Sequence, residues 1–384
     1  MRIIKNKIST ANINKLYGNI LNTSVSKLEK YKSCPYSYFL QYILKLKERE
    51  ELKVQNIDTG SFMHEVIDEF FEVIQEKNIK LENIEEYEIE EIVDKIIDEK
   101  LMDSKNYIFK ATAKYRLLVS RLKRIILKAL KYIVESLIKS KFELLGTEIE
   151  FSNKGKYKLI VLDIGEGKKV EITGKIDRID IGKLDEKKYV RIIDYKSSVK
   201  GIDFSNIYGG LQLQLITYMD AVCKLEDFLP AGILYFNLLE QMITSNKKLS
   251  EEEIEQKIKN NFKMKGLVLA DINVAKMHDN NLDTGSSSFV PIYIDKSGNL
   301  SDKKSSVATD KEFNKLQNYI NKTIKEIANE IFKGNMELKP YYKNKRTPCE
   351  YCSYKLMCGF NSGICKNEYR YISNLTKEEV LEKM

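Results

Sequence analysis

Much is scarce in this chain of 384 residues, and each scarcity closes off a class of protein. No apolar run approaches the roughly 18 residues of a membrane-crossing helix. The amino terminus, MRIIKNKIST, has no apolar core behind its charges. A cytoplasmic protein is therefore expected. No G-x-x-x-x-G-K-[ST] occurs, so the chain has no recognisable phosphate loop of its own. No dinucleotide fingerprint supports an oxidoreductase, and internal repeats and low-complexity segments are absent. The 6 cysteines, in a reducing compartment, argue against a disulfide framework and for metal binding or plain burial. Lys+Arg (64) exceed Asp+Glu (56) by only 8, which favours a polyanionic partner weakly because both signs are spread along the chain.

What is there is a foldable pattern: 43% hydrophobic residues, enough to bury a substantial core. Residues 1–50 read as an amphipathic arm (Ser26 to Leu46 above all), and residues 51–140 as a helical subdomain. Phe62, Val66, Ile67, Phe70 and Phe71, then Leu117, Leu118, Leu122, Ile125 and Ile126, have helical apolar spacing. Residues 141–335 read as an α/β core. Short alternating strands run from Phe142 to Lys196 with turns near Gly155, Gly165 to Gly167 and Gly182, followed by a helix from Gly209 to Leu225 and a buried strand at AGILYFNLL. A long helix from about Lys311 to Lys333 leads to a cysteine-bearing segment, 336–384.

Two strands carry the chemistry. In IIDYKSS (192–198), Asp194 and Lys196 share a face with Val190 and Ile192, so one face runs apolar, acid, base. In VEITGKIDRIDIG (170–182), Val170, Ile172 and Ile176 fall on one face, and Thr173, Asp177 and Ile179 on the other. Were these strands neighbours, Asp177 and Asp194 would converge on one divalent cation such as Mg²⁺. The cation would polarise a phosphate and acidify a water, with Lys196 beside it. Charges of a solvated hairpin give the same triplet, so support must come from elsewhere. His64, in TGSFMHEVIDEFF, suits either a packed histidine or a metal ligand. Gln214 and Tyr218, four apart in GGLQLQLITYMDAV, share a helical face.

The order GSFMHEV, GKIDRID, IIDYKSS, LQLQLITY resembles the RecB-type branch of the PD-(D/E)XK nucleases. The flanks SVSKLEKYKSCPYSYFLQYILKLKERE and TPCEYCSYKLMCGF narrow it to the carboxy-terminal nuclease domains of AddB-type helicase–nuclease proteins, over about Ile13 to Arg370. The resemblance implies a restriction-endonuclease-like α/β core with a mixed sheet flanked by helices. It also implies that His64, Asp177, Asp194 and the carbonyl of Tyr195 bind the metal, and that Lys196 assists the attacking water. Gln214 and Tyr218 fit the glutamine–tyrosine motif, with Gln212 a rival. Ile176 stands where the family name has Pro, and Asp194 where Glu is more usual.

Cys349 and Cys352 form a C-x2-C pair, Cys358 follows, and Cys34 lies far upstream. Three clustered thiolates plus a distant fourth suit zinc or an iron–sulfur cluster, and spacing does not choose between them. The resemblance implies a 4Fe-4S cluster stapling the two chain ends. Cys223 reads as core and Cys365 as a weaker rival ligand.

The function expected is Mg²⁺-dependent hydrolysis of single DNA strands fed by an AddA-type helicase partner, in end resection and recombinational repair. Tyrosines and basic residues in YKSCPYSYF and KPYYKNKR would stack bases and meet phosphates. The competing expectation is a catalytically silent iron–sulfur module that guides DNA. AddB-type proteins are much longer, so a split subunit, a separate domain and a stand-alone nuclease are all open readings.

Overall fold

The computed structural model describes residues 7–47, 54–239, 244–246, 248–363 and 368–384. Cys365 lies outside the described residues. Among these residues eight strands form one mixed sheet, and no helix is long and apolar enough to cross a membrane.

The strands that position the site are β1 (Ile20–Ser24), β2 (Phe142–Phe151), β3 (Ile160–Gly165), β4 (Lys168–Leu184), β5 (Lys187–Lys196), β6 (Leu229–Asn237) and β7 (Lys265–Leu269). Along the sheet β1, β4, β5, β6 and β7 follow one another, while β2 and β3 also pair with β4. The pairings of β4 with β2, β3 and β5 are antiparallel, whereas β1 with β4 and β5 with β6 are parallel. Alternation sorts the side chains: Ile192, Ile233, Tyr235 and Leu267 join one apolar cluster, and Ile193, Leu234, Phe236 and Val268 another, so each face has its own core.

The helices divide between these faces. Helix α1 (Val25–Ser33) and the long amphipathic Asp310–Phe332 contribute Leu28, Leu316 and Ile320 to the first core. Helices α2 (Asn56–Glu76), α3 (Glu86–Met102) and α4 (Ala113–Ile138) place Phe62, Ile96 and Ile126 in the second, with Ile193 and Tyr195 of β5. The apolar run expected along α4 therefore packs, except that Leu117 is 73% exposed.

Several boundaries differ from the sequence expectation, each for a local reason. The amphipathic opening is broken after Ser33. Cys34 is extended (φ −164) and Pro35 starts a new turn, because proline cannot donate to a continuing helix. The strand expected at 170–182 is longer at both ends, forming β4 with 17 residues. Gly182 is no turn: it pairs with Phe142, and a Cβ there would stand 2.6 Å from Met277 Cε. The reversal comes later, at Asp185, whose φ is 52. The expected helix at Gly209 begins instead at Gln214, giving helix α5 (Gln214–Glu226), because Gly210 adopts φ 73.

The two ends of the chain meet. Tyr31 Oη donates to the Asn335 carbonyl (2.8 Å), Tyr354 Oη to that of Leu46 (2.9 Å), and Arg370 Nη2 to that of Lys32 (2.5 Å).

Candidate active site

The β4–β5 ladder runs in register as far as Arg178 opposite Ile193, so the next position sets Asp177 against Asp194. Antiparallel neighbours at that spacing bring Cβ atoms to about 4.5–5.5 Å. Beyond Arg178 and Ile193 the strands are joined through a side chain, the Asp177 carboxylate accepting the Tyr195 N–H at Oδ2 (2.7 Å). Burial is the main reason both acids hold their protons up to about 6; in Asp194 the charge of Asp177 adds to it, and Lys196 opposes it in both. Lys196 Nζ lies 2.5 Å from Asp194 Oδ2. The acid–base pair on one strand face is thus a direct contact.

His64 comes from the middle of α2. Its Nδ1 stands 3.5 Å from Asp177 Oδ2, and its ring meets Tyr195 edge-on, centroids 5.7 Å apart. Burial, then the charge of Lys196, lowers its pKa to about 4, opposed partly by the charge of Asp194 and then by a hydrogen bond with the Tyr195 main chain. At neutral pH it is an uncharged imidazole with a lone pair to offer.

The two candidate glutamines separate cleanly. Gln214, first residue of α5, donates from Nε2 to Asp194 Oδ1 (3.4 Å). Gln212 is buried and spent on the neighbouring loop: its Oε1 accepts from Asp203 N (2.9 Å), and its Nε2 donates to Gly201 O (2.9 Å) and Tyr235 Oη (3.0 Å). Tyr218 stacks on Phe151 at 5.6 Å and lies so close over Gly174 that a Cβ there would be 2.4 Å from its hydroxyl. Burial pushes its phenol up to about 12. It braces β4 within reach of the charges of Asp194, Glu29 and Asp177, which also raise its pKa.

Three residues here carried no signal in the sequence. Glu29 of α1 accepts from the N–H groups of Leu213 (2.6 Å) and Gln214 (3.2 Å), satisfying orphan donors at the start of α5. Burial raises its pKa, opposed by those N–H groups and by Lys200 and Lys196. Lys200 is held below the usual lysine range by burial and by Lys196. Glu148 of β2 offers an oxygen that, with one atom each of His64 and Asp177, falls in a group whose members all lie within 4.8 Å of one another. In SVSKLEKYK, Glu29 reads as one more charge on a solvated helix, and in TEIEF Glu148 reads as an outward strand residue.

The donor set fits a divalent cation: a neutral imidazole and the Asp177 and Glu148 carboxylates, with ligand atoms all within 4.8 Å of one another, beside the buried carboxylate of Asp194 on the next strand.

A second concentration of donors lies at the chain ends. Cys34, Cys349, Cys352 and Cys358 line one cavity of about 170 Å³, with Tyr36, Phe360 and Tyr369 among its walls. All four are free thiols. Burial raises the thiols of Cys34 and Cys349, and the neighbouring cysteines add to it. Cys223 is elsewhere, on α5 with its Sγ 3.5 Å from Met219 Sδ, and burial pushes its pKa up to about 12.

Of the expected base-stacking tyrosines two are committed inside, whereas Tyr36, Tyr341 and Tyr342 are half-buried. Tyr31 and Tyr38 are 4% and 2% exposed, which leaves no face for a base. Lys343 is also buried, bonded to Asp203 (2.6 Å) and Asn206 (2.9 Å).

The chain is similar to proteins named as deoxyribonuclease subunits. An ATP-dependent helicase/deoxyribonuclease subunit of Clostridium novyi (strain NT) is 39% identical over 381 residues, 98% of this chain and 33% of that protein. Its namesake from Clostridium tetani (strain Massachusetts / E88) is 38% identical over 381 residues, again 98% of this chain and 33% of that protein. That from Ruminiclostridium cellulolyticum is 37% identical over 389 residues, 100% of this chain and 34% of that protein. The chain thus spans about a third of the length of the curated relatives it matches. The model of the PD-(D/E)XK nuclease superfamily matches residues 22–359, most of the chain, and the chain belongs to that superfamily.

Proposed function

We propose that this chain is the nuclease part of a helicase–deoxyribonuclease, hydrolysing phosphodiester bonds of single DNA strands delivered by an AddA-type partner helicase in end resection. The observation that carries the reading is Asp177 set against Asp194 where the β4–β5 ladder ends, with Lys196 touching Asp194. His64, Asp177, Asp194 and the Tyr195 carbonyl would hold Mg²⁺. When bound, the ion supplies polarisation of the scissile phosphate and a water of lowered pKa.

The chain's own groups do the rest. His64 is uncharged at neutral pH and so competes with no cation for the site. Gln214 fixes the Asp194 carboxylate through Oδ1, leaving Lys196 on Oδ2. The Lys196 ammonium, 25% exposed at the mouth of the site, is positioned to orient the attacking water and to stabilise negative charge as it develops. Asp177 keeps the Tyr195 main chain in place through its N–H.

Cys34, Cys349, Cys352 and Cys358 would hold a 4Fe-4S cluster, for which four free thiols around one cavity are a suitable donor set. Its role would be structural, reinforcing the seam between the chain ends.

The test is cleavage of end-labelled single-stranded DNA, with and without Mg²⁺, by protein purified without oxygen. Metal-dependent degradation lost in Asp194→Ala and Lys196→Ala supports the proposal. No cleavage by the wild type, supplied with an AddA-type partner and with iron content intact, overturns it in favour of a silent DNA-guiding module. Iron analysis and the visible absorption of the same preparation distinguish iron–sulfur from zinc.

A further inference from the structure

We propose that Glu148 is an additional carboxylate ligand of the divalent cation, held by Lys175 until the cation arrives and then handed over to it. The inference rests on the metal-site reading above and adds a residue and a step to it.

Four observations converge. Glu148 lies on β2 between Thr147, paired with Arg178, and Ile149, paired with Ile176, so it faces Asp177 across the strands. Its carboxylate belongs with His64 and Asp177 to the group whose ligand atoms lie within 4.8 Å of one another. Its backbone is left-handed, φ 48. The other described non-glycine residues with positive φ sit in turns or beyond helix ends, as Asn78, Glu166, Asp185 and Asp227 do; Glu148 alone is inside a strand. A left-handed residue there breaks the pleat and re-aims the side chain. Opposite it, Ile176 and Ile179, which strict alternation would send to opposite faces, pack into the same core, so β4 also departs from strict alternation beside Asp177.

Lys175 completes the device. Its ammonium ion-pairs with Glu148, and its charge also reaches His64, Asp68 and Asp177. It stands as the positive charge for this side of the site, yet its side chain is 50% exposed while that of Glu148 is 18% exposed. An exposed lysine gives up such a pair at small cost by turning into solvent. A divalent cation offers the same carboxylate twice the charge, so the two cations compete for one oxygen donor and the mobile one leaves.

The experiment is titration of the full chain with Mn²⁺ alone, read by the electron paramagnetic resonance of free Mn²⁺, with thermal melting as the folding control. Glu148→Gln is expected to weaken binding by about 10-fold or more, the range in which losses around metal sites fall. Glu148→Gly is expected to weaken it equally while melting no lower than wild type, because glycine tolerates the left-handed backbone. Lys175→Ala is expected to tighten binding, and the gain should shrink when Glu148 is already Gln. Binding by Glu148→Gln within twofold of wild type, with Asp177→Asn abolishing it, overturns Glu148 as a ligand and leaves the metal site standing. An equal gain from Lys175→Ala in both backgrounds overturns the hand-over. No Mn²⁺ binding by wild type overturns the metal-site reading itself.

Discussion

The sharpest quantitative expectation concerns protons competing with the cation. Asp177 and Asp194 both titrate near 6, raised from 3.8 chiefly by burial, and a cation must displace whatever protons they carry. Near pH 5 a carboxylate of pKa 6 is ionised only about 9% of the time, so the two together are fully charged in roughly 1% of molecules. Near pH 7.5 the corresponding fraction is about 94%. Cation affinity should therefore rise about 100-fold between these pH values and level off above roughly pH 7. Carboxylates of ordinary pKa would give a rise of only about 1.1-fold over the same interval. His64, at about 4, is already deprotonated throughout and adds nothing to the slope. Calorimetric Mn²⁺ titration at the two pH values separates the cases. A change under about threefold would refute the claim that burial withholds these charges.

Other expectations follow from the same contacts. Because the folded pKa of Asp177 lies above its unfolded value of 3.8, its charge destabilises the metal-free fold. This cost is absent below pH 3.8 and complete above about 6, where it reaches about 3 kcal/mol. Asp177→Asn should thus raise the urea midpoint of the metal-free protein near pH 7.5 while abolishing cation binding; a lower midpoint would contradict this. Asp180 sits wholly buried between Arg178 and Arg191, with contacts of 2.7 Å to each, so Asp180→Asn should cost about 3–5 kcal/mol in a denaturant titration. Loss under about 1 kcal/mol would show the arginines to be satisfied elsewhere. Glu29→Ala removes the acceptor that starts α5, a loss of about 1 kcal/mol. It should lower the cleavage rate through Gln214 with DNA affinity unchanged; an unaltered rate would detach Gln214 from catalysis.

The readable part of this molecule was the part governed by period. A two-residue repeat in IIDYK and GKIDRID predicts which acids share a face, and β5 and β4 present them together. Helical spacing likewise predicts the packed face of α2. What stayed hidden depends on exceptions to period. Gly210 delays α5 to Gln214, and nothing in GGLQLQL marks which glutamine will meet Asp194. Glu148 is left-handed inside β2, and opposite it β4 changes phase beyond Ile176, so Ile179 joins a core that alternation denies it. The tyrosines of YKSCPYSYF read equally well as a stacking surface or as packing; burial chose packing for Tyr31 and Tyr38, and Tyr36 is half-buried.

Each of the three hydrogen bonds described across the seam between the chain ends joins unequal partners. Tyr31, Tyr354 and Arg370 contribute side-chain donors, while Asn335, Leu46 and Lys32 contribute only main-chain carbonyls. Every residue type carries a carbonyl, so the accepting positions are free to drift without opening the seam. The donating positions are not: each replacement by a residue without a donor deletes its bond outright. Divergent relatives should therefore vary at the acceptors and hold the two tyrosines and the arginine, a pattern of tolerance set by which side of each bond is backbone.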